Sequence, residues 1–349
     1  MGEMWAQVLH AFGTERRLER VVMPPLRAGE VRIRVRAVSV NRGLDLAVRV
    51  DGFRFPGVRL PLVGGVDPAG EVVEVAKDVR GVGLGDRVTV FPLVSCGRCQ
   101  ACQEGAAENR CAAFTLVGVD RWGGFAEFVN VPATNLVPLP RGVGWVQASA
   151  AALSHVTAWH GIAEVLRLSP GDTVLVMAAA GGVGTAAVQI AKLLGAQVIA
   201  GVGSERKASA IRALGADAAV VYGKECWAQE VRSFTRGQGI QAALQTVSGS
   251  WAPLLEAMAP GGRIAVCGAT GGPVASLPVV PMYRGFITMF GYLVGTRDDL
   301  CKVLEEIVRG RIHPVIDSRF SLDELGLAEE RVASRQAVGK VMVELAGGQ

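Results

Sequence analysis

The sequence predicts a two-domain α/β protein, and three observations carry that prediction. The first part of the chain alternates apolar and polar residues in short runs cut by Pro and Gly. The second part, from about Ser169, repeats strand, glycine turn, helix and strand. The length of 349 residues suits two domains at roughly 150 residues each. The expected division is 1–150 and 151–295, with 296–349 returning to complete the first domain.

In the first domain EVRIRVRAVSV alternates as a half-buried strand does, and AGEVVEVAKDV and DRVTVFPLV follow between turn residues. This pattern describes an antiparallel, barrel-like domain. In the second domain DTVLVMAAA leads through GGVGTAAVQIAKLLGA to QVIAGVG. ERKASAIRALGAD then leads to AAVVY, QEVRSFTRG to AALQTV, and WAPLLEAMAPGG to RIAVCGA. Alternation of this kind builds a parallel sheet covered by helices. A helical DDLCKVLEEIVRG then precedes HPVIDSRF and the strand-like GKVMVEL.

Composition excludes several classes. Half of the residues are hydrophobic, 19% are charged and 45 are glycine, which suits an ordered globular chain rich in tight turns. The net charge of +4 is small and no basic run is interleaved with aromatics, so nucleic acid is not an expected partner. The apolar region from Val174 to Val202 is interrupted by Gly181, Gly182, Gly184, Gln189, Lys192 and Gly195, which leaves no membrane span. The amino terminus lacks the apolar core of a signal peptide, so the expected location is the cytoplasm.

Ala179, Gly181 and Gly184 have the spacing of a dinucleotide fingerprint, with Ala in place of the first glycine. Small residues there let the backbone turn sharply toward a pyrophosphate at the positive end of the next helix. The expected contacts are Ala180, Gly181, Gly182, Val183 and Gly184. At the end of the second strand an NAD-binding fold usually offers an acid to the ribose, but Gly201, Val202 and Gly203 stand here. Ser204, Arg206 and Lys207 follow and suit the extra phosphate of NADP(H), with Tyr222 placed to close over that phosphate or the adenine. The same residues also read as a helix cap beside a solvated face.

Cys96, Cys99, Cys102 and Cys111 are spaced so that one loop turns three thiolates toward an ion while the fourth completes a tetrahedron. Four thiolates leave no open position, which describes a structural Zn2+. Disulfides are disfavoured in a cytoplasmic chain, and an iron–sulfur cluster would need other signs of electron transfer.

These motifs, together with GVDPAGEVVEVAKDV, GLGDRVTV, AALSHVTAWHGI and the terminal GKVMVEL, resemble the medium-chain dehydrogenase/reductase superfamily along almost the whole chain. The resemblance implies a GroES-like catalytic domain, a Rossmann domain and an active site in the cleft between them. It also implies a homodimer paired through FITMFGYLV and a small-molecule substrate. Zinc alcohol dehydrogenases of the superfamily hold a catalytic zinc with an early Cys, the His of a Gly-His-Glu segment and a third ligand near the domain junction. This chain has no Cys before Cys96 and no His between His10 and His155. Asn41 or Arg42, then Gly65-Val66-Asp67, then Leu153 or Ser154 occupy those places. The early segment has an extra residue before Asp45.

That departure matches the quinone oxidoreductase and enoyl reductase branches, in which a conjugated acceptor takes hydride without a metal. The expected function is an NADPH-dependent reductase of that kind. The alternatives are an alcohol dehydrogenase or carbonyl reductase, and a nucleotide-binding protein without turnover. The resemblance implies three catalytic candidates: Asn41 as a donor to substrate or ribose, Asp45 as an acid near the cofactor, and His155 as general acid. By position it adds Thr157, Thr246, Val247, Gly268, Tyr292, Leu293 and Val294 as cofactor contacts. Phe53, Phe55, Trp122, Trp159 and Tyr283 are candidates for a flat, apolar substrate pocket.

Overall fold

The computed structural model describes residues 2–51, 57–105 and 107–345. The chain forms two compact units: one of residues 1–153, 296–310 and 316–349, the other of residues 154–295 and 311–315. The expected division differs chiefly at 311–315, which joins the second unit. Gln189 is the physical reason, because its amide bonds His313 twice, donating to the carbonyl at 3.0 Å and accepting from the N–H at 2.8 Å.

The first unit is β-rich. Its main sheet runs Leu136–Pro138, Arg87–Val90, Ala69–Val75, Glu30–Val40, Lys340–Glu344 and Ile316–Ser321, with Phe128–Pro132 also paired to Glu30–Val40. All of these pairings are antiparallel except that between the last two strands. In Glu30–Val40 the side chains of Val31, Ile33 and Val35 are buried while Arg32, Arg34 and Arg36 are only half-buried. That alternation is the two-residue period read in the sequence, with each buried branched side chain contributing about 1.5–3 kcal/mol. The strand within GKVMVEL returns as expected, with Val341 opposite Val40.

The second unit is a parallel sheet in the order Ala218–Val221, Gln197–Val202, Thr173–Val176, Ile240–Ser250, Met258–Ser276 and Thr288–Gly291. Numbered by sequence within the unit, this is 3-2-1-4-5-6, the doubly wound order whose direction reverses beside the first strand. Leu175, Ile199, Ile240 and Ile264 fill the core of this unit. The expected helix in WAPLLEAMAPGG stops at Ala257, because the next residue, Met258, has already turned to extended backbone. Among the described residues no helix is long and apolar enough to cross a membrane.

Candidate functional site

In the second unit the glycine turn follows the strand Thr173–Val176, Ser204 follows Gln197–Val202, Tyr222 follows Ala218–Val221 and Tyr292 follows Thr288–Gly291, while Thr246, Val247 and Gly268 lie within Ile240–Ser250 and Met258–Ser276 and Thr157 on the helix Val156–Trp159. The helix Gly182–Leu193 starts immediately after the glycine turn, with Gly181 as its extended N-cap. The amides of residues 182–184 belong to its first turn, where no carbonyl four residues earlier can accept them. A Cβ on Gly184 would lie 2.4 Å from the Ala178 carbonyl oxygen and 2.5 Å from the Ala179 Cα, so only glycine lets helix and turn pack this closely. Ala178 itself has φ +51°, a left-handed conformation that costs an alanine about 1 kcal/mol. The tightest part of the turn therefore falls one residue before Ala179, the position matched to the first glycine.

Ser204 caps the helix Glu205–Ala213 by accepting from the Lys207 N–H. Beside it Tyr222 is tied to the neighbouring strand by its N–H to the Val202 carbonyl at 3.1 Å. The Tyr222 hydroxyl would lie 3.4 Å from a Cβ on Gly203, so the bare backbone there faces the phenol. Arg206 and Lys207 start the helix on the same side. One carboxylate that sequence reading passed over, Glu205, is its first residue and pairs with Lys224 at 2.6 Å.

Thr246 donates to the Met177 carbonyl at 3.3 Å, and a Cβ on Gly268 would meet the Thr246 carbonyl oxygen at 3.2 Å. The Val247 carbonyl accepts from the Trp251 indole at 3.0 Å. The Tyr292 hydroxyl donates to the Thr157 carbonyl at 2.8 Å, and its oxygen lies only 2.1 Å from where a Cβ on Gly161 would be. Gly161 therefore makes room for the bond that holds Tyr292, Leu293 and Val294 to the helix carrying Thr157. Burial pushes the Tyr292 hydroxyl well above its ordinary pKa and the neighbouring Cys267 thiol up to about 11, so both stay neutral. Val294 has φ +53°, which bends the chain directly after Leu293.

The His155 side chain is fully buried. Trp159 is half-buried and Tyr283 is 62% exposed in the same unit. In the first unit Trp122 is half-buried and donates to the Pro61 carbonyl at 3.2 Å. Phe53 and Phe55 lie outside the described residues.

In the first unit Asn41 and Asp45 are both buried. Residues Arg42–Leu46 form a π-helical turn, which absorbs the extra residue noticed in the sequence. The turn brings the Asp45 carboxylate back to accept the N–H groups of Asn41 at 2.8 Å and Gly65 at 2.9 Å. Burial, and then the nearby Asp67, push its pKa up to about 6, against the pull of Arg16 and those two N–H bonds.

The Asn41 amide is fully engaged. Its nitrogen donates to Asp67 at 3.1 Å and to the Ser39 hydroxyl at 3.2 Å, and its oxygen accepts from the Lys340 ammonium at 2.5 Å. Lys340 in turn lies 3.4 Å from Asp67, in a pair whose side chains are 4% and 0% exposed. Asn41 thereby bridges a buried ion pair. Val66, where a metal-binding imidazole would be needed, is apolar and fully buried. Sequence reading missed the pairing because its partners are 273 and 299 residues apart.

The four cysteines converge as their spacing predicts. Their sulfur atoms all lie within 4.8 Å of one another, with Cys99 at 3.5 Å from Cys102 and 3.9 Å from Cys111. Four sulfurs about 2.3 Å from a tetrahedral zinc stand about 3.8 Å apart, so the donor set fits that ion. The Cys96 and Cys99 N–H groups point at the sulfurs of Cys111 and Cys96 and support thiolate charge. Among the described residues these four form the one group of three or more Cys, His, Asp or Glu placed to hold a metal.

The model of the alcohol dehydrogenase GroES-like domain matches residues 27–141, and that of the zinc-binding dehydrogenase matches residues 182–309. An NAD-dependent alcohol dehydrogenase of Sulfolobus acidocaldarius is 33% identical over 98% of this chain and 100% of its own length. An acryloyl-coenzyme A reductase of Metallosphaera sedula is 30% identical over 96% of this chain and 97% of its own. The crystal structure of an NAD-dependent alcohol dehydrogenase superposes with a TM-score of 0.91 at 35% identity, covering 98% of this chain and all of the other.

Proposed function

The chain belongs to the medium-chain dehydrogenase/reductase superfamily, and from that premise we propose that it is an NADPH-dependent reductase of conjugated carbonyls, quinones or enones and enoyl compounds, with one structural zinc. The observation that carries this reading is the state of residues 41, 66 and 67. An amide and a carboxylate bound to the chain's own lysine, beside a buried valine, offer no ligand set for a carbonyl-polarising metal. A conjugated acceptor has less need of one, since charge arriving at carbon spreads onto its oxygen.

The donor set and the glycine cradle fit the two groups this function requires. When bound, the cofactor supplies hydride from C4 of its nicotinamide. The amides of residues 182–184 take the pyrophosphate at the start of the helix. Ser204, Arg206, Lys207 and Tyr222 surround the 2′-phosphate. Thr157, Thr246, Val247, Gly268 and the backbone of Tyr292, Leu293 and Val294 orient the nicotinamide half. A conjugated acceptor held beside it would take that hydride and a proton from solvent, giving a saturated carbonyl from an enone or enoyl compound and a hydroquinone from a quinone. Cys96, Cys99, Cys102 and Cys111 hold the zinc as a clamp on their loop.

The chain acts as a homodimer in this reading. The outer strand Thr288–Gly291 leaves an open edge, and Val279, Val280, Tyr283, Phe286 and Phe290 beside it are 40–76% exposed. A second reading, an alcohol dehydrogenase, is favoured by the 33% identical relative of that name. Oxidation of NADPH by a panel of quinones and enones, beside aldehydes, ketones and alcohols with either cofactor, tests the choice. Turnover confined to the conjugated acceptors supports the reductase, and turnover confined to simple alcohols and ketones overturns it.

A further inference from the structure

We infer that the second unit carries a binding site for a small amphipathic carboxylate, in the cavity between the helix Gly182–Leu193 and the segment 311–315. The site is separate from the nucleotide-binding residues and does not depend on their assignment. The cavity measures about 520 Å3, within the roughly 300–1,000 Å3 of small-molecule pockets. Lys192, Arg311 and His313 line it together with Leu214, Pro314 and Val315, and among the described residues no carboxylate does.

The fold explains how these groups meet. Lys192 lies in the last turn of its helix, about 15 Å along the axis from Gly182, so the cavity is at the opposite end from the amides assigned to the pyrophosphate. One turn before it, Gln189 bonds the His313 backbone twice and fixes the segment 311–315 against the helix. Leu214 and Gly215 join the lining from just past the helix Glu205–Ala213. Two helices therefore end at the cavity, and a carboxyl end opposes an anion. That effect is blunted here. The amides of Leu194, Gly195 and Ala196 cap carbonyls of the first helix, and those of Leu214, Gly215 and Ala216 cap carbonyls of the second.

The side chains supply charge and apolar surface side by side. Lys192 is held by Asp217 at 2.9 Å with side chains 37% and 34% exposed, and a pair so open to water leaves the ammonium available to a second anion. Arg311 adds a planar fork of N–H donors, which matches a carboxylate. Leu214, Pro314 and Val315 offer an aliphatic chain a place out of water. A ligand that carries both a carboxylate and a short chain uses all of these groups, whereas a bare ion or a neutral chain uses only some.

Calorimetric titration of the full chain with octanoate, with and without saturating NADPH, tests the inference. One saturable site is expected under both conditions, with acetate and octanamide each bound about tenfold or more weakly. Lys192→Gln and Arg311→Gln are each expected to weaken octanoate by about threefold or more. Both side chains are exposed, so the fold is expected to hold. Absence of saturable binding, or an octanoate affinity unchanged in both variants, overturns the inference. So does acetate binding as tightly as octanoate, the mark of a bare anion site, or octanamide doing so, the mark of a bare apolar groove. Octanoate displaced by NADPH would put it on the nucleotide residues and overturn the inference too. Failure of NADPH to bind, with octanoate behaving as stated, leaves this site standing and overturns only the nucleotide assignment.

Discussion

The four-cysteine loop and the cluster around Asn41 lie in the same unit and gather negative charge in opposite ways. In the loop, four thiolates come from a stretch of sixteen residues and their charge requires an external divalent ion. Around Asn41, two buried carboxylates are held by groups of the chain itself. Asp67 is held by Lys340, Ser39 and Asn41, and Asp45 by two backbone N–H groups. The first arrangement suits a metal ion, whereas the second already has its negative charge met by an internal ammonium and N–H donors. The difference teaches that counting acids and amides near a family's metal position is not enough; what matters is which groups they are already committed to.

The comparison breaks most visibly at the loop. Replacing Cys111 with Ser removes the buried ligand, and the loop is expected to release its zinc and unfold locally, since structural zinc sites supply about 10 kcal/mol or more of binding free energy. Zinc release to a chromophoric chelator and proteolysis of the 95–111 segment would record it. The corresponding break in the other region is Lys340→Met. It strands Asp67 in a dry site and should cost about 3–5 kcal/mol in denaturant unfolding, while the double change with Asp67→Asn recovers most of that loss. Full stability of the single variant would show that the ammonium does not hold the cluster.

A smaller effect sharpens the contrast through pH. The folded protein holds the Asp45 proton more tightly than the unfolded chain does, so this group's contribution to stability falls as pH rises from 3.8 toward about 6. Once ionised it carries a cost of about 3 kcal/mol. Asp45→Asn should remove that dependence, seen as a smaller difference in unfolding free energy between about pH 4 and pH 7. An unchanged difference would place the titration elsewhere. The smallest effect calibrates the other unit: Tyr292→Phe loses one neutral hydrogen bond to Thr157, about 1 kcal/mol, and should weaken cofactor binding more than it lowers the melting temperature.

Legibility in the sequence followed the range of the interactions. The zinc loop and the glycine turn are local patterns, and both were found where their spacing put them. The alternation in Glu30–Val40 and the strand, turn and helix repeats were equally clear, since period and punctuation are local as well. The Asn41 cluster was not legible, because Lys340 reaches it only when the carboxyl-terminal strand pairs with Glu30–Val40. The extra residue before Asp45 was visible, but its resolution as a π-helical turn depends on the carboxylate reaching back to Asn41.

The central claim is that this chain binds one zinc, in the cysteine loop, and that the region around Asn41 is closed to a second. Zinc equivalents per chain, measured by mass spectrometry of metals on native protein and on Cys99→Ser, test it most directly. The account predicts one for the native chain and none for the variant. Two for the native chain with one retained in the variant would contradict it.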